Sequence, residues 1–159
     1  MGKKRIKTLV LGLGNPILSD DGVGPAVGRE LESRIDPREV TVIEASLGGL
    51  NLLDLLPGYD RVIIIDAIKT EDGRAGQVYR LNPEALATTR HTASPHDVNL
   101  VTALELGKRL GLAMPAKIDI FAIEVSDTER FSEECTPAVA AAIPVCAEMV
   151  ISELKKIND

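Results

Sequence analysis

Carboxylates and imidazoles are the side chains of this chain best suited to hold a metal ion or move a proton, and only a few sit where chemistry needs them. There are two histidines, His91 and His96. His96 lies in "ASPHDVNL", where a loop enters a helix, while His91 in "TTRHTAS" reads as a polar surface residue. Asp20 and Asp21 sit in "GLGNPILSDDGVG" (12–24), a turn between a strand and a helix. Asp66 follows four apolar residues in "RVIIIDAI" (61–68). Two carboxylates and one imidazole from three separated segments, Asp21, Asp66 and His96, suit a borderline divalent ion such as nickel or zinc. Three protein ligands leave positions open for water or substrate, as catalytic metal sites do. Each residue also has a plainer reading. Negative side chains favour helix N-termini by about 0.3–1 kcal/mol, which makes Asp20 a helix cap and leaves Asp21 open. A loop histidine is commonly a surface residue, and spacing alone does not choose between these readings.

A glycine turn after a strand also invites a phosphate, and here the residues oppose one. The dinucleotide fingerprint G-x-G-x-x-G is met by Gly12 and Gly14 but fails at Ile17, and Pro16 removes a backbone N–H that a phosphate cradle would use. No G-x-x-x-x-G-K-[ST] occurs, and Asp20 and Asp21 would repel the anion. "GLGNP" resembles the opening of peptidyl-tRNA hydrolase, yet the chain continues "ILSDDGVG" and its only "TRH", Thr89 to His91, comes far too late. The absence of G-x-S-x-G removes the usual serine nucleophile elbow. Cys135 and Cys146 have no CxxC partner and read as small buried hydrophobes.

These residues must be positioned by a small α/β scaffold. The 159 residues suggest one domain, 1–159, and 45% apolar content with 3% aromatics implies an aliphatic core. Strands are expected at 6–12, 39–45, 61–68, 77–81 and 117–125. Between them fall a helix from Gly24, with Val27, Leu31 and Ile35 on one stripe, a short helix at 49–57, and a helix opening after Pro95 and ending at Gly111. A closing helix starts with Thr136 as N-cap and Pro137 at the first helical position, and Pro144 should bend or locally disturb it. The alternation predicts a three-layer α/β sandwich with a twisted, mostly parallel five-stranded sheet flanked by helices. Right-handed crossovers place the first strand centrally, with the second and third on either side. The binding crevice of such a sheet lies beyond the carboxyl ends where strand order reverses, between the first and third strands. The glycine turn and Asp66 both fall there.

The formal net charge of −6 opposes a phosphate-backbone partner. No apolar run is read as approaching the roughly 20 residues that span a bilayer, and the basic start is followed by a strand with no cleavage site. A cytoplasmic protein, with neither nucleic acid nor membrane as partner, is expected.

Taken together, "LVLGLGNPILSDDGVG", "VIIIDAI" and "SPHDVNL" resemble the three signature blocks of the hydrogenase maturation endopeptidases. The resemblance continues through "EASLGGLNLLDLL", "AGQVYRL" and "TPAV". It implies an endopeptidase that removes the C-terminal extension of a [NiFe] hydrogenase large-subunit precursor after nickel insertion. In that family the positions of Asp21, Asp66 and His96 are the metal-binding trio, several members having glutamate at the first. The implied cofactor is nickel carried by the substrate, with zinc or cadmium as alternatives in the free protein, and a monomer is expected. The chain departs from some relatives after the second strand, where Glu44-Ala45-Ser46-Leu47 precedes Gly48-Gly49 in place of Asp-Gly-Gly-Thr. Glu44 and this loop are therefore expected to tune precursor choice, while Gly48 and Gly49 allow a turn. Cys135 stands where leucine is commoner before Thr-Pro. A metal-assisted water attack, with a carboxylate as proton acceptor, is the expected chemistry. Two other readings remain open: a nickel-site-sensing assembly factor that does not hydrolyse, and a nucleotide-binding α/β domain.

Overall fold

Two of the strands have almost no solvent-facing side, and they set the architecture. In the computed structural model, residues 5–46, 52–88 and 100–157 are described. β1 (Thr8–Leu13) and β3 (Arg61–Ile68) are buried along their whole length. Both are runs of Leu, Val and Ile without polar alternation, as strands covered on both faces by helices are. The sheet has five strands in the order β2-β1-β3-β5-β4, with β2 at Val40–Ala45, β4 at Val78–Leu81 and β5 at Lys117–Glu124. β1 pairs parallel with β2 and β3, β3 pairs parallel with β5, and only the edge strand β4 runs antiparallel. β1 lies between β2 and β3, so strand order reverses between β1 and β3, as the crossover rule requires.

Among the described residues, five helices cover the sheet: α1 (Val23–Glu32), α2 (Leu52–Leu55), α3 (Pro83–Thr88), α4 (Leu100–Arg109) and α5 (Pro137–Ile157). The period of two along each strand splits the core into two layers. Val10, Ile63, Ile65, Phe121 and Ile123 pack with Val27 and Leu31 of α1 and with Val139, Cys146 and Val150 of α5. Leu9, Leu11, Val62, Ile64 and Ile120 pack on the other face with Leu52 of α2 and with Leu100 and Ala103 of α4.

α3 and the hydropathy of α5 differ from the sequence expectation. α3 was not foreseen, although its start carries a full cap signal: the Asn82 side chain accepts the Ala85 N–H at 2.6 Å, and Pro83 takes the first helical position. α5 stays helical through Pro144. The carbonyl that Pro144 leaves without an intrahelical donor belongs to Ala140, and both residues are exposed, so water can satisfy it. α5 is also long and apolar enough to cross a membrane, contrary to the reading that no segment is. Its Val139, Ala142, Cys146, Ala147, Val150 and Leu154 form a helical stripe in the core, which accounts for that hydropathy. The expected helices at 49–57 and after Pro95 are described from Leu52 and Leu100 onward.

Candidate functional site

The turn after β1 is shaped by close backbone approach. Gly14 has φ +147°, and a Cβ there would lie 1.9 Å from the Asp21 carbonyl oxygen. A Cβ on Gly24 would lie 2.2 Å from the Leu13 carbonyl oxygen and 2.6 Å from that of Ile65. No other residue type fits either place without moving the backbone. The first turn of α1 thus sits directly on the carboxyl ends of β1 and β3. The Gly14 N–H donates to the Ala45 carbonyl at 3.0 Å, fastening the turn to the end of β2.

Inside the turn, the Asn15 side-chain oxygen accepts the Ile17 N–H at 3.1 Å and the Asn15 carbonyl accepts the Leu18 N–H at 3.2 Å. The side chain folds back on its own backbone, as asparagine does in turns. A single 3-10 turn, Ser19–Gly22, then leads into α1, with Ser19 in the left-handed region at φ +48°. Asp21 is 7% exposed and its Oδ2 accepts the Asn15 N–H at 2.9 Å.

Asp66 lies one residue beyond Ile65, the last β3 residue paired with β1. It is 2% exposed, and its Oδ1 accepts the Ala67 N–H at 2.8 Å. By strand alternation it belongs to the face of Val62, Ile64 and Ile68, the layer closed by α4. Leu100, the first residue of α4 and four positions after His96, is buried in that layer. His96 lies outside the described residues, as do His91, Gly48 and Gly49. The fold therefore brings two of the three expected ligands, Asp21 and Asp66, to the carboxyl ends of adjacent strands. Among the described residues no group of three metal-ligating side chains converges.

Asp20 is not the cap that its position suggested. No side chain caps the 3-10 turn or α1. Its fully buried carboxylate turns instead toward the segment between β5 and α5. It accepts from the Ser126 N–H and hydroxyl at 3.1 and 3.2 Å, the Asp127 N–H at 3.0 Å, the Thr136 N–H at 2.7 Å and the Thr136 hydroxyl at 2.9 Å. Burial pushes its pKa up, but the backbone donors of Asp127, Thr136 and Ser126 and the Thr136 hydroxyl outweigh burial, and the carboxyl titrates below its ordinary range. Thr136 does stand just before Pro137, as expected of the N-cap of α5, with its hydroxyl bonded to Asp20.

Glu44 sits opposite Gly12 in the β1–β2 register and pairs with Arg29 of α1 at 2.7 Å. The nearby cysteines are poor nucleophiles. Burial and the Asp20 charge raise the Cys135 thiol, partly offset by Arg29. Burial takes the Cys146 thiol up to about 12. Thiolate, the reactive form, is therefore scarce at neutral pH. Sequence reasoning missed Glu124, a buried carboxylate at the end of β5 that accepts the Thr70 N–H at 2.8 Å and the Tyr79 hydroxyl at 3.0 Å. An acid closing the apolar run "IFAIEV" was the available signal. Its bonds tie β4 and the loop before it to β5.

Comparison with known proteins agrees with this architecture. The sequence model of the family described as hydrogenase maturation protease matches residues 25–153. The hydrogenase 2 maturation protease of Escherichia coli K12 is 29% identical over 153 residues, covering 95% of this chain and 92% of that protein. The structure of the hydrogenase maturating endopeptidase HybD from E. coli superposes with a TM-score of 0.82 at 28% identity, over 95% of this chain and 93% of that one. A [NiFe] hydrogenase maturation protease HybD from Thermococcus kodakarensis, at 23% identity, shares the fold with a TM-score of 0.71, over 94% of this chain and 99% of that one. With the glycine turn, the reversal between β1 and β3 and the match across most of its length, the chain belongs to the hydrogenase maturation proteases, and its activity is that of an endopeptidase.

Proposed function

We propose that this protein removes the C-terminal extension of a nickel-loaded [NiFe] hydrogenase large-subunit precursor, and that Asp21, Asp66 and His96 recognise the substrate's nickel by completing its coordination. The observation that carries this reading is the placement of two nearly buried carboxylates at the carboxyl ends of β1 and β3, where strand order reverses. Oxygen donors joined by one imidazole suit a borderline divalent ion. Zinc or cadmium would satisfy the same donors in the free protein. The reading places the protein in the cytoplasm as a monomeric single domain whose partner is the precursor, with no nucleic acid or membrane involved. Glu44 and the loop with Gly48 and Gly49 would help select the client, since Gly14 binds the end of β2 from which that loop departs.

The reaction is hydrolysis of an amide. Asp21, Asp66 and His96 would hold the substrate's divalent ion, which would supply Lewis-acid activation of the scissile carbonyl or of water. Whichever of Asp21 and Asp66 is not bound to the ion at that moment would accept the proton of the attacking water, and that proton would pass to the leaving amine. The raised thiol pKa values support a water rather than a cysteine nucleophile.

Purified protein is incubated with nickel-loaded and with nickel-free precursor, and the intact mass of each is followed. Loss of the C-terminal extension from the nickel-loaded form alone is expected. An unchanged mass in both would favour a non-hydrolytic assembly factor. Equal cleavage of both would remove nickel from recognition.

A further inference from the structure

In the turn that holds Asp21 and the segment bonded to it, two large apolar side chains stand in water: Ile17, 49% exposed, and Phe131, 81% exposed. They belong to segments far apart in sequence that are fastened together. The Ser132 N–H donates to the Ile17 carbonyl at 3.0 Å, and the Ser19 N–H donates to the Ser132 carbonyl at 2.9 Å. Leu18 and Ser132 form an isolated parallel bridge. Asp20, with its five donor groups from 126–127 and 136, locks the same two segments from beneath. The Leu18 carbonyl accepts the Asp21 N–H at 3.0 Å, so the apolar ledge and the proposed ligand share one rigid turn. Pro16, also exposed, extends the ledge.

Apolar side chains stabilise a fold by leaving water, and Phe131 has not left it. An exposed aromatic on a preorganised element is instead what a binding hot spot requires, because little ordering remains to be done on association. The segment's own charges are mostly acidic, with Lys69 bonding the Ser126 carbonyl at its start. Glu129, Glu133 and Glu134 are exposed with Arg130 the only base between them. Among the described residues, the other exposed large apolar side chains, Ile6, Leu110, Leu112 and Val145, lie elsewhere in the chain.

We propose that Ile17 and Phe131 form the docking ledge for the stretch of precursor polypeptide beside the scissile bond. They receive an apolar side chain there, while the carboxylates of Glu129, Glu133 and Glu134 face basic residues next to it. This rests on the processing reaction proposed above and adds its substrate contact. The occupant follows from continuity with Asp21 and from the acidic surround, which repels an acidic segment and attracts a basic one.

Steady-state cleavage of nickel-loaded precursor tests it. Phe131→Ser and the double variant Ile17→Ser/Phe131→Ser are expected to raise KM about tenfold or more with kcat within twofold. Phe131→Leu should recover part of the loss, and Glu133→Lys/Glu134→Lys should raise KM and weaken its salt dependence. Because these side chains are exposed, thermal unfolding should not change. Wild-type KM in the Phe131 variants would overturn the ledge while leaving the hydrolytic reading intact. Self-association of the wild type that Phe131→Ser abolishes, with KM unchanged, would assign the patch to a second copy and also overturn it. Failure of the wild type to cleave would overturn the hydrolytic reading and the ledge with it.

Discussion

Asp20 and Asp21 are chemically identical neighbours in different surroundings. Asp20 faces five donors and is enclosed, so its charge is held for structural use. Asp21 accepts the Asn15 N–H within the turn and lies at the strand ends where Asp66 also stands. Replacing Asp20 by alanine strands those donors, and an ionic acceptor of this kind contributes about 3 kcal/mol. A loss of that order should appear in urea unfolding. Because the folded pKa of Asp20 lies below the ordinary 3.8, its contribution is complete above that value and is lost as pH falls through the depressed folded pKa. Asp20→Asn should therefore lower stability near neutrality and flatten the acid limb of a stability profile. An unchanged acid limb would show that the charge of Asp20 is not coupled to folding.

Among the elements, the glycine turn and the two strands it joins were the most legible from sequence. β1 and β3 announce themselves as unbroken aliphatic runs, and the hand of crossovers places β2 and β3 on either side of β1. What local pattern cannot carry is pairing at long range. Asp20 precedes a helix and so reads as its cap, whereas its partners lie 106 to 116 residues away. α3 was missed for a different reason. Six residues are too few to show a helical stripe, and only the cap at Asn82 betrays the start. Of the proposed trio, residue types and order were readable, and the fold adds the meeting of β1 and β3. The turn itself gives a sharp test. Gly24→Ala places a methyl group against two carbonyl oxygens of β1 and β3, and overpacking of that kind costs about 1–3 kcal/mol or more. Its midpoint in thermal unfolding should fall by several degrees or more. An unchanged midpoint would mean that α1 does not need this close approach.

Over the whole molecule, the two ends of the sheet do different work. The carboxyl ends carry Asp21 and Asp66, while the amino ends of β3 and β5 carry an ion-pair network. Buried Arg61 meets Asp119 at 3.1 Å and Glu153 of α5 at 2.9 Å, and Arg80 of β4 meets Glu153 at 2.7 Å. Glu153 thereby ties α5 to β3 and β4, the strands on either side of β5. The bond from Arg80 outweighs burial in holding the Glu153 pKa below its usual range. Removing one partner of a buried pair leaves an uncompensated charge at a cost of about 3–5 kcal/mol. Glu153→Ala should lose stability on that order while the turnover of the molecules that remain folded is unchanged. A fall in turnover per folded molecule would couple the two ends. In the proposed trio, the imidazole of His96 joins the two carboxylates. Its most direct test is the initial rate at which His96→Ala cleaves nickel-loaded precursor, with circular dichroism confirming the fold. Metal-ligand loss should reduce that rate at least about a hundredfold with the fold unchanged. A folded His96→Ala protein that cleaves at the wild-type rate would contradict the trio.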